Sequence, residues 1–119
     1  MTVLLIVVAA VALVLVLRAA QGTTPIPVKP LATEPIEAIE LFLRPGCPWC
    51  ERLTAGVHRA GIPANRRNIW DDPADAAIVR SIANGNETVP TVVVGAVGLV
   101  NPSLSTLKKT IAEHAPHLL

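Results

Sequence analysis

Ile39-Glu40-Leu41-Phe42-Leu43-Arg44-Pro45-Gly46-Cys47-Pro48-Trp49-Cys50 is the stretch whose reading decides the fold. Its first five residues are apolar apart from Glu40 and read as a strand. The only two cysteines of the chain follow, three positions apart, where the next segment reads as a helix. A dithiol so placed suggests redox chemistry. A cysteine in the first turn of a helix faces unpaired backbone N–H groups and the positive end of the helix dipole, and both favour thiolate over thiol. Cys47 is therefore the expected nucleophile. Pro48 suits the geometry, because a first helical turn has no partner for the N–H that proline lacks. Cys50, one turn later, is expected on the same side, more buried, and able to attack a mixed disulfide formed on Cys47.

Two other uses of the cysteines fit the residues less well. A structural disulfide across so short a loop would remove little chain entropy. A zinc site needs four ligands and would have to recruit His114 and His117, which flank Pro116. The expectation is no metal.

With 119 residues there is room for one small domain, and net charge is only +1 with both signs interspersed. Such a charge distribution implies no nucleic-acid partner. Aromatic residues are limited to Phe42, Trp49 and Trp70, too few for a base-stacking platform. Mean hydropathy is +0.51, and much of the excess lies in the first 20 residues. The run from Thr2 to Leu17 is unbroken and has no polar face, so residues 1–20 are expected to form a transmembrane anchor if Arg18 snorkels. A cleaved secretory signal fits less well, because no basic residue precedes the run. Arg18 and Lys29 follow it, so the positive-inside rule places a single-pass protein in the cell membrane with its C-terminal domain in the cytoplasm. Residues 21–35, with Pro25, Pro27, Pro30 and Pro35, read as an extended spacer reaching about 45 Å at ~3.1 Å per residue.

From Ile36 onward strand and helix alternate. Glu37–Leu43 is an expected strand with Ile39, Leu41 and Leu43 on one face. Cys47–Ala60 is an expected helix, stopped by a left-handed cap at Gly61. Ala64–Ile69 reads as the second strand, with Arg66 and Arg67 as polar punctuation. Asp72 caps a helix opened by Pro73, with Ile78, Val79 and Ile82 inward, and Asn84-Gly85-Asn86 stops it. Thr91–Val94 is a strand, Gly95–Gly98 a turn, and Leu99-Val100 a short returning strand. Asn101-Pro102-Ser103 opens a last helix that packs through Leu104, Leu107 and Ile111. The order is βαβαββα: an α/β domain over residues 36–119 with a four-stranded mixed sheet and helices on both faces. His58 reads as an ordinary surface histidine, and Trp70 has no assigned role.

Cys47-Pro48-Trp49-Cys50 followed by Thr88-Val89-Pro90 resembles the glutaredoxins of the thioredoxin superfamily, over about Ile36 to His117. Asn84 through Val92 and Asn101-Pro102-Ser103 resemble more closely the mycoredoxins, dithiol proteins that reduce disulfides formed with mycothiol. The resemblance implies a thioredoxin-like fold and thiol–disulfide oxidoreductase activity on protein disulfides and small-thiol mixed disulfides. It implies catalytic Cys47 and Cys50, and a cis peptide bond at Pro90 with the Val89 backbone pairing to the bound thiol. Arg44, Trp49 and Thr88 join Val89 and Pro90 as expected contacts of that thiol. Glutathione-using members carry a Gly-Gly-x-Asp stretch where this chain has Gly98-Leu99-Val100-Asn101-Pro102-Ser103, so mycothiol is the better expectation as co-substrate, with no tightly bound cofactor and a monomer. The alternatives are a thioredoxin-like donor recharged by a flavin reductase, and a non-catalytic metal or iron–sulfur binding module built on Cys47.

Overall fold

In the computed structural model of the protein the described residues are 1–20 (side chains through Val14), 24–31 and 35–119. The expected spacer positions 21–23 and 32–34, and the snorkelling of Arg18, lie outside them. The elements are α1 (Thr2–Ala20), β1 (Ile26–Pro27), β2 (Ile39–Leu43), α2 (Pro48–Arg59), β3 (Ala64–Asn68), α3 (Pro73–Ile82), β4 (Thr91–Val94), β5 (Val97–Val100) and α4 (Leu104–His114), closed by a 3-10 turn at Pro116–Leu118.

β2 is an interior strand of the sheet, and apart from Glu40 its residues are apolar on both faces. Ile39 and Leu41 point to one side, into a core made with Leu53 and Val57 of α2 and Leu107 and Ile111 of α4. Phe42 points to the other, into a core with Ala76, Val79 and Ile82 of α3 that also holds both cysteines. Successive strand side chains alternate between faces, so one five-residue strand serves two cores. β3 lies parallel to β2 with Leu43 opposite Asn68, and β4 lies antiparallel on the other side. Helix boundaries follow local chemistry. Asp72 caps α3 by accepting from the Ala74 N–H, and Ser103 caps α4 by accepting from Thr106. Gly61 has φ +70, the left-handed value its place after α2 calls for.

The expected four-stranded sheet is corrected to five strands in the order β1-β5-β4-β2-β3. Part of the proline-rich segment, read from sequence as an extended spacer, is a strand: Ile26 and Pro27 pair antiparallel with Gly98 and Val97. The Val28 N–H then donates to the Ala96 carbonyl at 2.8 Å. Prolines removed the donors that would have signalled a strand, yet an edge strand needs a ladder partner on one side only. Ile26 and Val28 also gain apolar contact, packing against the core on the α3 side. β5 begins at Val97, earlier than expected. A Cβ on Gly98 would lie 2.9 Å from Ile82 Cγ2 and 3.2 Å from Val28 Cγ1, so glycine here permits α3 and the N-terminal strap to close over the strand.

The expected membrane anchor is also overturned. Among the described residues no helix is long and apolar enough to cross a membrane. α1 is helical and its described side chains are exposed. The apolar run from Thr2 to Leu17 supplies about 24 Å along a helix at ~1.5 Å per residue, against a hydrocarbon core of about 30 Å. The expected single-pass placement in the cell membrane, and the cytoplasmic orientation drawn from it, fall with the anchor.

Candidate active site

The segment from Arg44 to Gly46 carries the chain from the end of β2 to α2, and Cys47 occupies the N-cap position. Its Sγ accepts a hydrogen bond from the Cys50 N–H at 3.2 Å. The expected juxtaposition of a cysteine sulfur with an unpaired N–H of the first turn is thus a specific contact, and Pro48 stands at N1 where it forfeits nothing. Both cysteines are free thiols and almost wholly buried. Burial, first, and a hydrogen bond from the side chain of Cys47, second, push the Cys50 thiol up from 9.0 to about 11, against the opposing pull of Arg44. The two sulfurs are therefore unlike: one caps a helix, while the other stays a thiol at neutral pH.

Facing Cys47 is the loop before β4. The Cys47 thiol points at the Val89 carbonyl, 3.9 Å away across 42 positions of sequence. The Val89–Pro90 peptide bond is cis, and Pro90 is fully buried. Two hydrogen bonds hold this loop. The Thr91 hydroxyl donates to the Thr88 carbonyl at 2.7 Å. The Asn101 N–H donates to the Pro90 carbonyl at 2.7 Å. Thr88 is half-buried, while Val89 and Pro90 after it are buried.

The remaining candidates lie on the rim. Trp49 is 59% exposed, with the Arg52 guanidinium 4.9 Å from its ring centroid. Arg44 is exposed and its guanidinium lies 5.7 Å from the centroid of Trp70, itself 63% exposed. The structure thus gathers Cys47, Cys50, Val89 and Pro90 at one point and sets Arg44, Trp49 and Thr88 around it. Sequence reasoning missed Trp70. The signal was available in the strand register: β2 and β3 run parallel, so the residues that follow Leu43 and Asn68 leave the sheet at the same end. The Ile69 N–H, bonded to the Leu43 carbonyl at 2.9 Å, extends that pairing toward Trp70.

A groove of about 390 Å³ opens beside Cys50, lined by Arg44, Glu51, Thr54, His58 and Arg66. Cys50 is itself among its lining residues, with Leu43 and Ala55. His114 and His117 are not near it. His114 ends α4, and the His117 ring meets the Ile36 carbonyl. Among the described residues no three potential metal ligands come together.

Comparison with known proteins bears on the same region. A protein-family model described as Glutaredoxin matches residues 39–98, from β2 into β5. No curated protein matches the chain significantly. Among solved structures, the thioredoxin-like protein BC3987 superposes with a TM-score of 0.52 at 21% identity, covering 60% of this chain and 96% of its own. The glutaredoxin (grx-1) of Archaeoglobus fulgidus superposes with a TM-score of 0.55 at 23% identity, covering 66% of this chain and 89% of its own. At these identities the superpositions establish a thioredoxin-like fold.

Proposed function

We propose a function from one premise, that the chain belongs to the glutaredoxin family: it is a dithiol oxidoreductase that reduces protein disulfides and protein mixed disulfides with a small thiol. The observation that carries the reading is the pair of free thiols at the start of α2, with Cys47 capping the helix opposite Val89 and Cys50 buried behind it. Cys47 thiolate attacks the small-thiol sulfur of a protein mixed disulfide. One S–S bond forms, one breaks, and the protein leaves as a thiolate. Two routes then restore Cys47. A second small-thiol thiolate attacks the adduct and departs as the symmetrical disulfide. Alternatively Cys50 loses its proton to solvent and attacks Cys47, releasing the small thiol and leaving an internal disulfide that needs a reductant.

Arg44, Trp49, Thr88, Val89 and Pro90 are the residues that hold the small thiol in this reading. The extended backbone at Val89 pairs with it, and Arg44 meets a carboxylate or supports the Cys47 thiolate. Mycothiol is the proposed thiol, because the turn at Asn101-Pro102-Ser103 lacks the Gly-Gly-x-Asp stretch that serves glutathione. Asn101 is instead occupied in bonding Pro90.

The deciding experiment gives the purified chain a peptide–mycothiol mixed disulfide and, separately, its glutathione counterpart. Cys47-dependent release of mycothiol, with glutathione slower by tenfold or more, is the expected result. Cys47→Ser should abolish turnover, while Cys50→Ser keeps small-thiol turnover and loses reduction of protein disulfides. Equal loss in the two single variants on the small-thiol substrate would sink the single-cysteine route. Turnover with neither thiol, but reduction by a flavin-containing thioredoxin reductase, would replace the reading with an electron donor.

A further inference from the structure

A second groove, also about 390 Å³, runs between α2 and α4 on the far side of Trp49. Trp49 and Arg52 stand at its dithiol end and Arg59 at the other. Leu53 and Gly56 form its floor, and Leu104 its opposite wall. The charged residues lining it are all arginines, whereas the groove beside Cys50 sets Glu51 among its cations. Among the described residues the ion pairs are those of Arg67 and Arg80, so Arg52 and Arg59 have no carboxylate of their own. Arg52 is held in place by stacking on Trp49. A guanidinium lying on a ring keeps its edge N–H donors available for a carboxylate.

Seven positions separate Arg52 from Arg59, two helical turns, so both project from one face of α2 about 10 Å apart along the axis. In an extended peptide, side chains on one face recur every second residue, and a span of four residues covers about 13 Å. Two carboxylates four residues apart can therefore reach both arginines through their long side chains. The residue midway between them points into the groove, over the apolar floor.

We infer that this groove docks the protein substrate through an extended acidic segment, two carboxylates flanking one apolar side chain. The inference rests on the thiol–disulfide reading above, since Trp49 joins the groove to Cys47. Arg59 and the floor then act as a specificity determinant remote from the sulfur chemistry. They select which proteins bring a disulfide to Cys47.

The test uses the full chain and a fluorescent, cysteine-free peptide, Gly-Glu-Ser-Leu-Ser-Glu-Gly, read by anisotropy at low salt. Binding is expected, with the Gln-for-Glu and Ala-for-Leu peptides each weaker. Arg59→Glu should weaken the acidic peptide by roughly fivefold and favour a Lys-for-Glu peptide, with Arg59→Gln intermediate. Absence of binding, equal affinity for the Gln peptide, or an unchanged affinity in Arg59→Glu overturns the inference. So does a single-stranded oligonucleotide of equal charge that binds as tightly, which would make the arginines a generic polyanion patch. The probe carries no sulfur, so failure of binding refutes the groove, whereas failure of mixed-disulfide turnover refutes the exchange reading.

Discussion

Cys50 sits almost wholly out of water, and burial is the main reason its thiol is pushed from 9.0 to about 11. Only on the order of 10⁻⁴ of it is thiolate at pH 7. When Cys47 carries a small thiol, its own hydrogen bond and charge no longer act on Cys50, but burial remains. The internal attack on Cys47 should therefore quicken nearly tenfold per pH unit between about pH 7 and 9. Rapid quenching of the Cys47 adduct, followed by mass spectrometry, measures this step, and a flat profile would show that Cys50 is not the group being ionised. The same shift bears on stability. Above about pH 9 an unfolded chain has given up the Cys50 proton while the folded chain still holds it. Stability must then fall as pH rises from about 9 to about 11, and Cys50→Ser should lose that part of the alkaline decline in a urea titration. Position and spacing in the sequence were enough to place Cys47 at the start of the helix, where the Cys50 N–H reaches its sulfur. The Val89 carbonyl, 42 positions away, was legible only through the resemblance carried by Thr88-Val89-Pro90 and not from local spacing.

The pairing of β2 with β3 brings charges into the interior that a strand-by-strand reading treats as surface. Arg67 donates to Glu40 at 2.8 Å and to Asp75 of α3 at 3.1 Å, and Asn65 donates to the other Glu40 oxygen at 3.1 Å. Glu40 and Asp75 are both buried. The bond to Glu40, foremost, raises the Arg67 pKa further. Arg67 reads as punctuation because its partners lie 27 and 8 positions away, and Glu40 is a lone charge on the Phe42 face of an otherwise apolar strand. α3 covers that face, so the carboxylate is buried and needs a cation. The guanidinium also lies 5.8 Å from the ring centroid of Phe42, whose core contains both cysteines. Replacing Arg67 by Met strands two buried carboxylates. Removing one partner of a buried pair costs about 3–5 kcal/mol, and the partial exposure of Arg67 reduces the expectation to roughly 2–3 kcal/mol. Adding Glu40→Gln should return part of that loss, a coupling that urea unfolding of the four chains in a double-mutant cycle would resolve. Strictly additive effects would mean that the ion pair contributes nothing beyond its separate groups.

Across the whole molecule, the sequence order βαβαββα and the caps at Asp72 and Ser103 were legible because each depends on neighbours a few residues away. What was not legible is how the segment ahead of the domain meets it. Its prolines speak for a spacer, and its few apolar residues have no period, so only the tertiary fold could show that Ile26 and Val28 cover β5 beside Ile82. Gly98 records that closure from the other side, being the one residue small enough to sit beneath both Ile82 and Val28. Two consequences separate a packed strap from a passing contact. Val28→Asp places a charge on the apolar core and should cost about 2 kcal/mol, within the range for burying a poorly paired polar group. Gly98→Ala forces Ile82 or Val28 aside and should cost about 1–3 kcal/mol, as overpacking does. If the strap is integral, hydrogen exchange at the Val28 and β5 amides should accelerate together in Val28→Asp, and β2, three strands in from β1, should stay protected. If only the Val28 amide responds, the strap opens independently of β5, and the fifth strand adds little to the stability of the other four.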